Sequence, residues 1–142
     1  MKRCLLAWLA VYVAWSILDG LGHGLAFQSL YADRPAVWRP QTEIKIGVIY
    51  LGVLIASGSF VGVYSRFIAN KSVKTGVHYG LIFGIGAGAS MAAGGYAVHP
   101  IQWELAVGWF LLTVIEATVG GWLVGLIAKQ CCGSNVSSTP AA

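Results

Sequence analysis

The stretch Gly76-Val-His-Tyr-Gly80-Leu-Ile-Phe-Gly84-Ile-Gly-Ala-Gly88-Ala-Ser-Met-Ala92 decides how this chain is read. Small residues recur at Gly76, Gly80, Gly84, Gly88 and Ala92, and a step of four lines positions up along one face of an α-helix. Between them stand Val77, Tyr79, Leu81, Ile82, Phe83 and Ile85, so the segment as a whole is apolar. In water each glycine would cost a helix about 1 kcal/mol relative to alanine. In lipid the bare face becomes useful. Apolar side chains gain nothing there by leaving the solvent, and close backbone packing has to hold helices together. The stretch reads as the packing ridge of a buried transmembrane helix.

Composition agrees. Of 142 residues, 57% are hydrophobic and only 10% are charged, against about 25% charged in a soluble domain. The expected class is all-α, a transmembrane four-helix bundle, with the lipid bilayer as its first partner. The formal charge of +4 does not imply nucleic acid, because the basic residues stand at the ends of apolar runs. The three cysteines, Cys4, Cys131 and Cys132, form no disulfide framework and have no C-x-x-C spacing, so no metal site is expected from them.

Four apolar runs predict helices over about 4–27, 44–69, 75–98 and 101–128, in a single transmembrane domain over 1–129. The first run follows Lys2-Arg3 as a signal peptide would. Its helical pattern nevertheless continues past Asp19 and His23 to Phe27, long enough to span a bilayer, and it is read as an uncleaved helix. Pro35 and Pro40 disfavour a continuous helix in the 28–43 connection, where Tyr31 and Trp38 suit the headgroup level. His99-Pro100 forces a turn between the last two helices. Residues 130–142 lack apolar periodicity and are expected to be a disordered cytoplasmic tail. Lys2, Arg3, Arg66, Lys71, Lys74 and Lys129 fall on one side, and Arg34, Arg39 and Lys45 on the other. The positive-inside rule then puts both termini in the cytoplasm.

A charged side chain inside a span costs about 2.5–3.5 kcal/mol on insertion scales, which makes it a functional candidate. Asp19 and Glu116 are the two such residues, and His23 lies one turn beyond Asp19 on the same helix face. Ser57, Ser59, Ser90 and Thr113 fall at similar depth on the other helices. Together these residues are read as one interior polar layer. It serves either as interhelical glue or as a proton or cation path. A metal site at Asp19 and His23 is the third reading, and two ligands are too few to specify it. Glu104, at the start of the fourth helix, is explained by the helix dipole. Gly121 and Gly125 join Gly76, Gly80, Gly84, Gly88 and Ala92 as helix-packing positions.

The pattern Asp19-x-x-x-His23-Gly, Tyr31, Trp38-Arg39-Pro40, Lys45, Tyr50, a glycine-rich third helix and Glu116 resembles a group of small bacterial four-helix membrane proteins with no assigned activity. The resemblance covers residues 4 to about 129 and implies a bacterial inner-membrane location. No catalytic or phosphate-binding motif occurs, so no enzymatic activity and no cofactor are expected. The first functional expectation is a multi-pass protein acting through helix packing, as a homo-oligomer or an accessory subunit of a larger membrane complex. The alternative is a small proton- or cation-coupled transporter using Asp19, His23 and Glu116.

Overall fold

The computed structural model describes residues 2–127; Lys129, the two adjacent cysteines and the expected tail at 130–142 lie outside the described residues. Helix α1 spans Lys2–Leu21 and runs on as a π-helical turn, Gly22–Ala26, closed by Phe27 N–H on the Gly22 carbonyl at 2.9 Å. The short helix α2 follows at Gln28–Ala32. Two 3₁₀ turns, Pro35–Val37 and Gln41–Glu43, lead into α3 (Ile46–Phe67). Helices α4 (Val73–Val98) and α5 (Trp103–Ile127) are the last elements among the described residues. Helices α1 with its π turn, α3, α4 and α5 are long and apolar enough to cross a membrane, and no strand occurs among the described residues.

The ends of these elements follow local chemistry. Ser72 caps α4, its hydroxyl accepting from Thr75 N–H at 3.0 Å, which satisfies one of the donors a helix start leaves free. Pro35 biases Arg34 away from helical backbone, and α2 stops at Ala32. The π turn was not legible in the sequence, which suggested one unbroken helix.

The tightest contact is between α4 and α5, which run antiparallel. The buried positions of α4 are Gly76, Gly80, Gly84, Gly88 and Ala92. A methyl group added at Gly76 would meet Gly121 and Gly125 backbone, and one at Gly88 would meet the Phe110 carbonyl. Gly121 and Gly125 in turn lie against Gly76, Ser72 and Val73 backbone. The two glycine rows therefore bury each other within one chain.

Helix α1 packs on another face of α5 in a different manner. Large side chains enter glycine gaps: Trp15 at Gly120, Leu112 at Gly22 and Phe27 at Gly108. The second half of α3 crosses α1, where the Trp8 indole lies over Gly58 and donates to the Leu54 carbonyl at 2.9 Å. Residues 46–52 of α3 are exposed, apart from any membrane around them. One buried cluster, with Val11, Trp15, Phe60, Tyr64, Ala117 and Val124, sits where α1, α3 and α5 meet. A second, around Ile101 and Leu105, lies at the other end of α5 under Leu30, Tyr31, Val37 and Trp38. The 28–43 connection is pinned there. Arg34 Nη1 donates to the Pro100 carbonyl at 3.0 Å, and Gln102 Nε2 to Asp33 Oδ2 at 3.4 Å.

Candidate functional site

Three of the seven residues expected in the polar layer come together between α1 and α5: Asp19, His23 and Glu116. The carboxyl groups of Asp19 and Glu116 are within hydrogen-bonding reach of each other. A hydrogen bond between two carboxyl groups needs a proton on one of them, because an ionised carboxylate only accepts. Glu116 Oε1 is buried and meets no donor, so no protein cation or N–H neutralises the pair from that side. Trp15 Nε1 donates instead to the Glu116 backbone carbonyl at 2.6 Å. It reaches that carbonyl because Gly120 leaves room for the indole.

His23 Nε2 stands 3.7 Å from Asp19 Oδ1, with both side chains partly exposed. That separation is too long for a direct hydrogen bond. On its other edge, His23 Nδ1 is 2.5 Å from the Tyr31 hydroxyl. Trp109 Nε1 is 2.8 Å from the same hydroxyl. The direction of these bonds is fixed by chemistry. An indole N–H can only donate, so Tyr31 oxygen accepts from Trp109 and sends its own proton to His23 Nδ1. The imidazole is then the tautomer with hydrogen on Nε2, facing Asp19. The order from membrane middle to α2 is Glu116, Asp19, His23, Tyr31, Trp109.

Aromatic rings hold the far end of this line. Tyr31 packs edge-on against Trp38 with centroids 5.0 Å apart, and Trp38 against Trp109 at 6.1 Å. His23 stacks on Tyr31 at 6.0 Å and meets Phe27 edge-on at 5.7 Å. Burial pushes the Tyr31 hydroxyl above the ordinary tyrosine range; the Trp109 donor opposes that rise and the Asp19 charge adds to it. Tyr31 is therefore a neutral hydroxyl at neutral pH. The Trp38 indole N–H is buried without an acceptor, a donor left uncommitted beside the line.

The other four expected residues do not join, so no polar layer extends over all four helices. Ser57 is buried, but it serves the α1–α3 crossing: its hydroxyl donates to the Leu54 carbonyl at 3.0 Å and lies 3.2 Å from Trp8 Nε1. Thr113 donates to the Trp109 carbonyl at 2.9 Å within α5. Ser59 and Ser90 are exposed. The reason is helical phase. Two residues along a helix is a turn of about 200°, so Ser59 points away from the side on which Ser57 packs, and Ser90 away from the α5-facing row that ends at Gly88 and Ala92. Equal depth did not mean equal face.

Sequence reasoning placed Tyr31 and Trp38 only at the headgroup level and missed Trp109 altogether. One signal was present: Tyr31 stands eight residues past His23, close enough for a short helix to fold it back. Among the described residues no group of three His, Cys, Asp or Glu side chains is arranged to hold a metal ion. Comparison with family models, curated proteins and solved structures found no match, and the reading of this site rests on its geometry.

Proposed function

We propose that this chain is a small, non-enzymatic, multi-pass protein of the bacterial inner membrane. Its working part is a proton-binding site, the core of a small proton-coupled carrier. The Asp19–Glu116 carboxyl pair carries the reading. Glue between helices joins a donor to an acceptor. Two carboxyl groups facing each other in a poorly solvated space repel unless a proton lies between them, so the pair is better suited to taking up and giving back a proton than to holding helices together. His23, with Tyr31 beyond it, supplies a transfer group between the pair and the α2 end, where the line is partly exposed. Towards the other end the route is blocked by Val11, Trp15, Phe60, Ala117 and Val124. Passage through requires α1 to shift against α5, and π-helical turns such as Gly22–Ala26 are frequent at working sites.

Infrared difference spectra of the purified protein across pH steps test the site. A protonated-carboxyl band that changes with pH and is lost or displaced in both Asp19→Asn and Glu116→Gln is expected. A spectrum without that band, or one untouched by either substitution, refutes the reading. Glu116→Gln should leave the fold intact, since the amide keeps a donor and an acceptor.

A second reading is favoured by the small-residue faces that remain open. Nothing lies within 4 Å of a methyl added at Gly20, Gly24 or Gly62. These faces support a protein that packs with itself or as an accessory subunit. Cross-linking in native membranes at Gly24→Cys and Gly62→Cys tests it: intermolecular products at either position support packing, and their absence at both removes it.

A further inference from the structure

We infer that the end of the bundle where α1 begins carries a specific site for an anionic phospholipid. One acyl chain lies in the groove along the first turns of α4, and the headgroup is held by the basic residues around the α3–α4 turn. The inference stands on features remote from the Asp19–Glu116 line and does not depend on its reading.

The groove has a volume of about 380 Å³ and is lined by Ile68, Thr75, His78, Tyr79, Ile82 and Phe83. That volume falls within the range of small-molecule sites, about 300–1,000 Å³. From Thr75 to Ile82 it follows α4 for roughly 10 Å at 1.5 Å per residue. Its wall offers a polar solute almost nothing. The Tyr79 hydroxyl is committed to the Phe60 carbonyl at 2.9 Å, and Thr75 Oγ1 is paired with Ser72 Oγ at 2.8 Å. His78 Nδ1 is turned back to the Lys74 carbonyl at 2.8 Å. Only His78 Nε2 is left over. An apolar, elongated occupant fits such a wall.

The charge at this end selects the head of that occupant. Lys2, Arg3, Arg66, Lys71 and Lys74 all belong to it: α1 starts here, the α3–α4 turn lies here, and Ser72 and Val73 touch Gly125 near the end of α5. None of the five acidic residues does, since Asp19, Asp33, Glu43, Glu104 and Glu116 stand at mid-membrane or at the opposite end. The described residues therefore offer no intramolecular counter-ion for these cations. Clustered lysine and arginine beside a span attract anionic lipid at about 1 kcal/mol per residue. Lys71 and Lys74 flank the mouth of the groove in sequence. A phosphate held there would sit directly above a chain lying along Thr75, His78 and Ile82.

The test uses the full chain in detergent, with bound lipids counted by native mass spectrometry during titration with dioleoyl phosphatidylglycerol or dioleoyl phosphatidylcholine. One phosphatidylglycerol should be retained under conditions that strip phosphatidylcholine. The double substitution Lys71→Gln with Lys74→Gln should weaken that binding roughly 30-fold, two charge contacts of about fivefold each. Both residues are outside the packed core, and unfolding of this variant is ruled out by its thermal melt. Ile82→Trp, at an exposed groove position, should reduce retention of phosphatidylglycerol with the lysines intact. Glycerol phosphate, which has the head without the chain, should not compete at concentrations where the lipid binds. Equal retention of the two lipids, parental affinity in the double lysine variant, or full competition by glycerol phosphate would each overturn the inference.

Discussion

Glycine-to-alanine exchange at Gly80 and at Gly86 puts the same methyl on the same helix with opposite expected results. At Gly80 the added carbon would sit 2.8 Å from the Ala117 carbonyl carbon and 3.0 Å from Thr118 Cα, with the Ala117 oxygen closer still. All three are backbone atoms, so no rotamer change relieves the clash. Ordinary contact begins near 3.4 Å, so α4 and α5 must part by at least 0.6 Å (3.4 minus 2.8) and by more to clear the oxygen. A gap of 0.5–1 Å forfeits about a quarter to a half of each contact's dispersion well. Spread over neighbouring contacts of a backbone-to-backbone seam, the loss should reach about 3 kcal/mol, the upper part of the range for overpacking. At Gly86 nothing lies within 4 Å; the methyl meets lipid and the helix gains up to about 1 kcal/mol of propensity. Reversible unfolding in mixed micelles with rising sodium dodecyl sulfate, followed by far-ultraviolet circular dichroism, reads both. If Gly80→Ala unfolds within about 0.5 kcal/mol of Gly86→Ala, the α4–α5 seam is not packed as argued.

Gly120→Val should expel the whole Trp15 indole from the Glu116 carbonyl and cost more than Trp15→Phe, which loses the hydrogen bond, about 1 kcal/mol, and only part of the buried ring; a smaller loss for Gly120→Val in the same unfolding assay would contradict the packing of α1. Tyr31→Phe should lower thermal stability at neutral pH. Burial holds the folded-state value of Tyr31 above its usual 10.0, so its contribution is complete below pH 10 and is lost as pH rises through the folded-state value. The difference in melting temperature between parent and Tyr31→Phe should therefore shrink in alkali, and a constant or growing difference would reverse the sign. Reporter fusions after Ala142 and within residues 32–39 should place the first in the cytoplasm and the second outside, as the distribution of lysine and arginine requires.

The helix count was legible because each run is long and apolar. The α4 ridge was legible because its period of four has no soluble explanation. The identity of the ridge's partner was not. Read from sequence, the small-residue positions pointed to a homo-oligomer or a larger complex without saying which of them pair within the chain. In the structure the row at Gly76 to Ala92 takes up the one at Ala117, Gly121 and Gly125, while Gly20, Gly24 and Gly62 stay open. The site was half legible. Asp19 and Glu116 stood out by the cost of a charge in lipid, and His23 by its spacing. Their joining to Tyr31 and Trp109 depends on α2, a five-residue helix too short to have a period of its own. Ser59 and Ser90 entered the expected layer because depth was read and rotation was not.

Glycine does two different jobs in this bundle, and the difference bears on how the polar line could work. Between α4 and α5 glycine meets backbone, as at Gly76 against Gly121. From Gly76 to Gly80 such a seam is backbone against backbone, with side chains entering only further along, at Gly84, Gly88 and Gly95. Between α1 and α5 glycine receives a side chain: Trp15 at Gly120, Leu112 at Gly22, Phe27 at Gly108. Those contacts can be repacked by changing rotamers, at a cost of a few contacts rather than a whole seam. Glu116 belongs to the pair joined mainly through backbone and Asp19 to the helix held by side chains. Shifting α1 would separate the two carboxyl groups, remove the reason for a shared proton, and do so beside Gly22, where the π turn already departs from regular helix. On the proposed reading the proton on the pair and the position of α1 would be linked: protonation would favour the closed arrangement, and whatever draws α1 away would favour release.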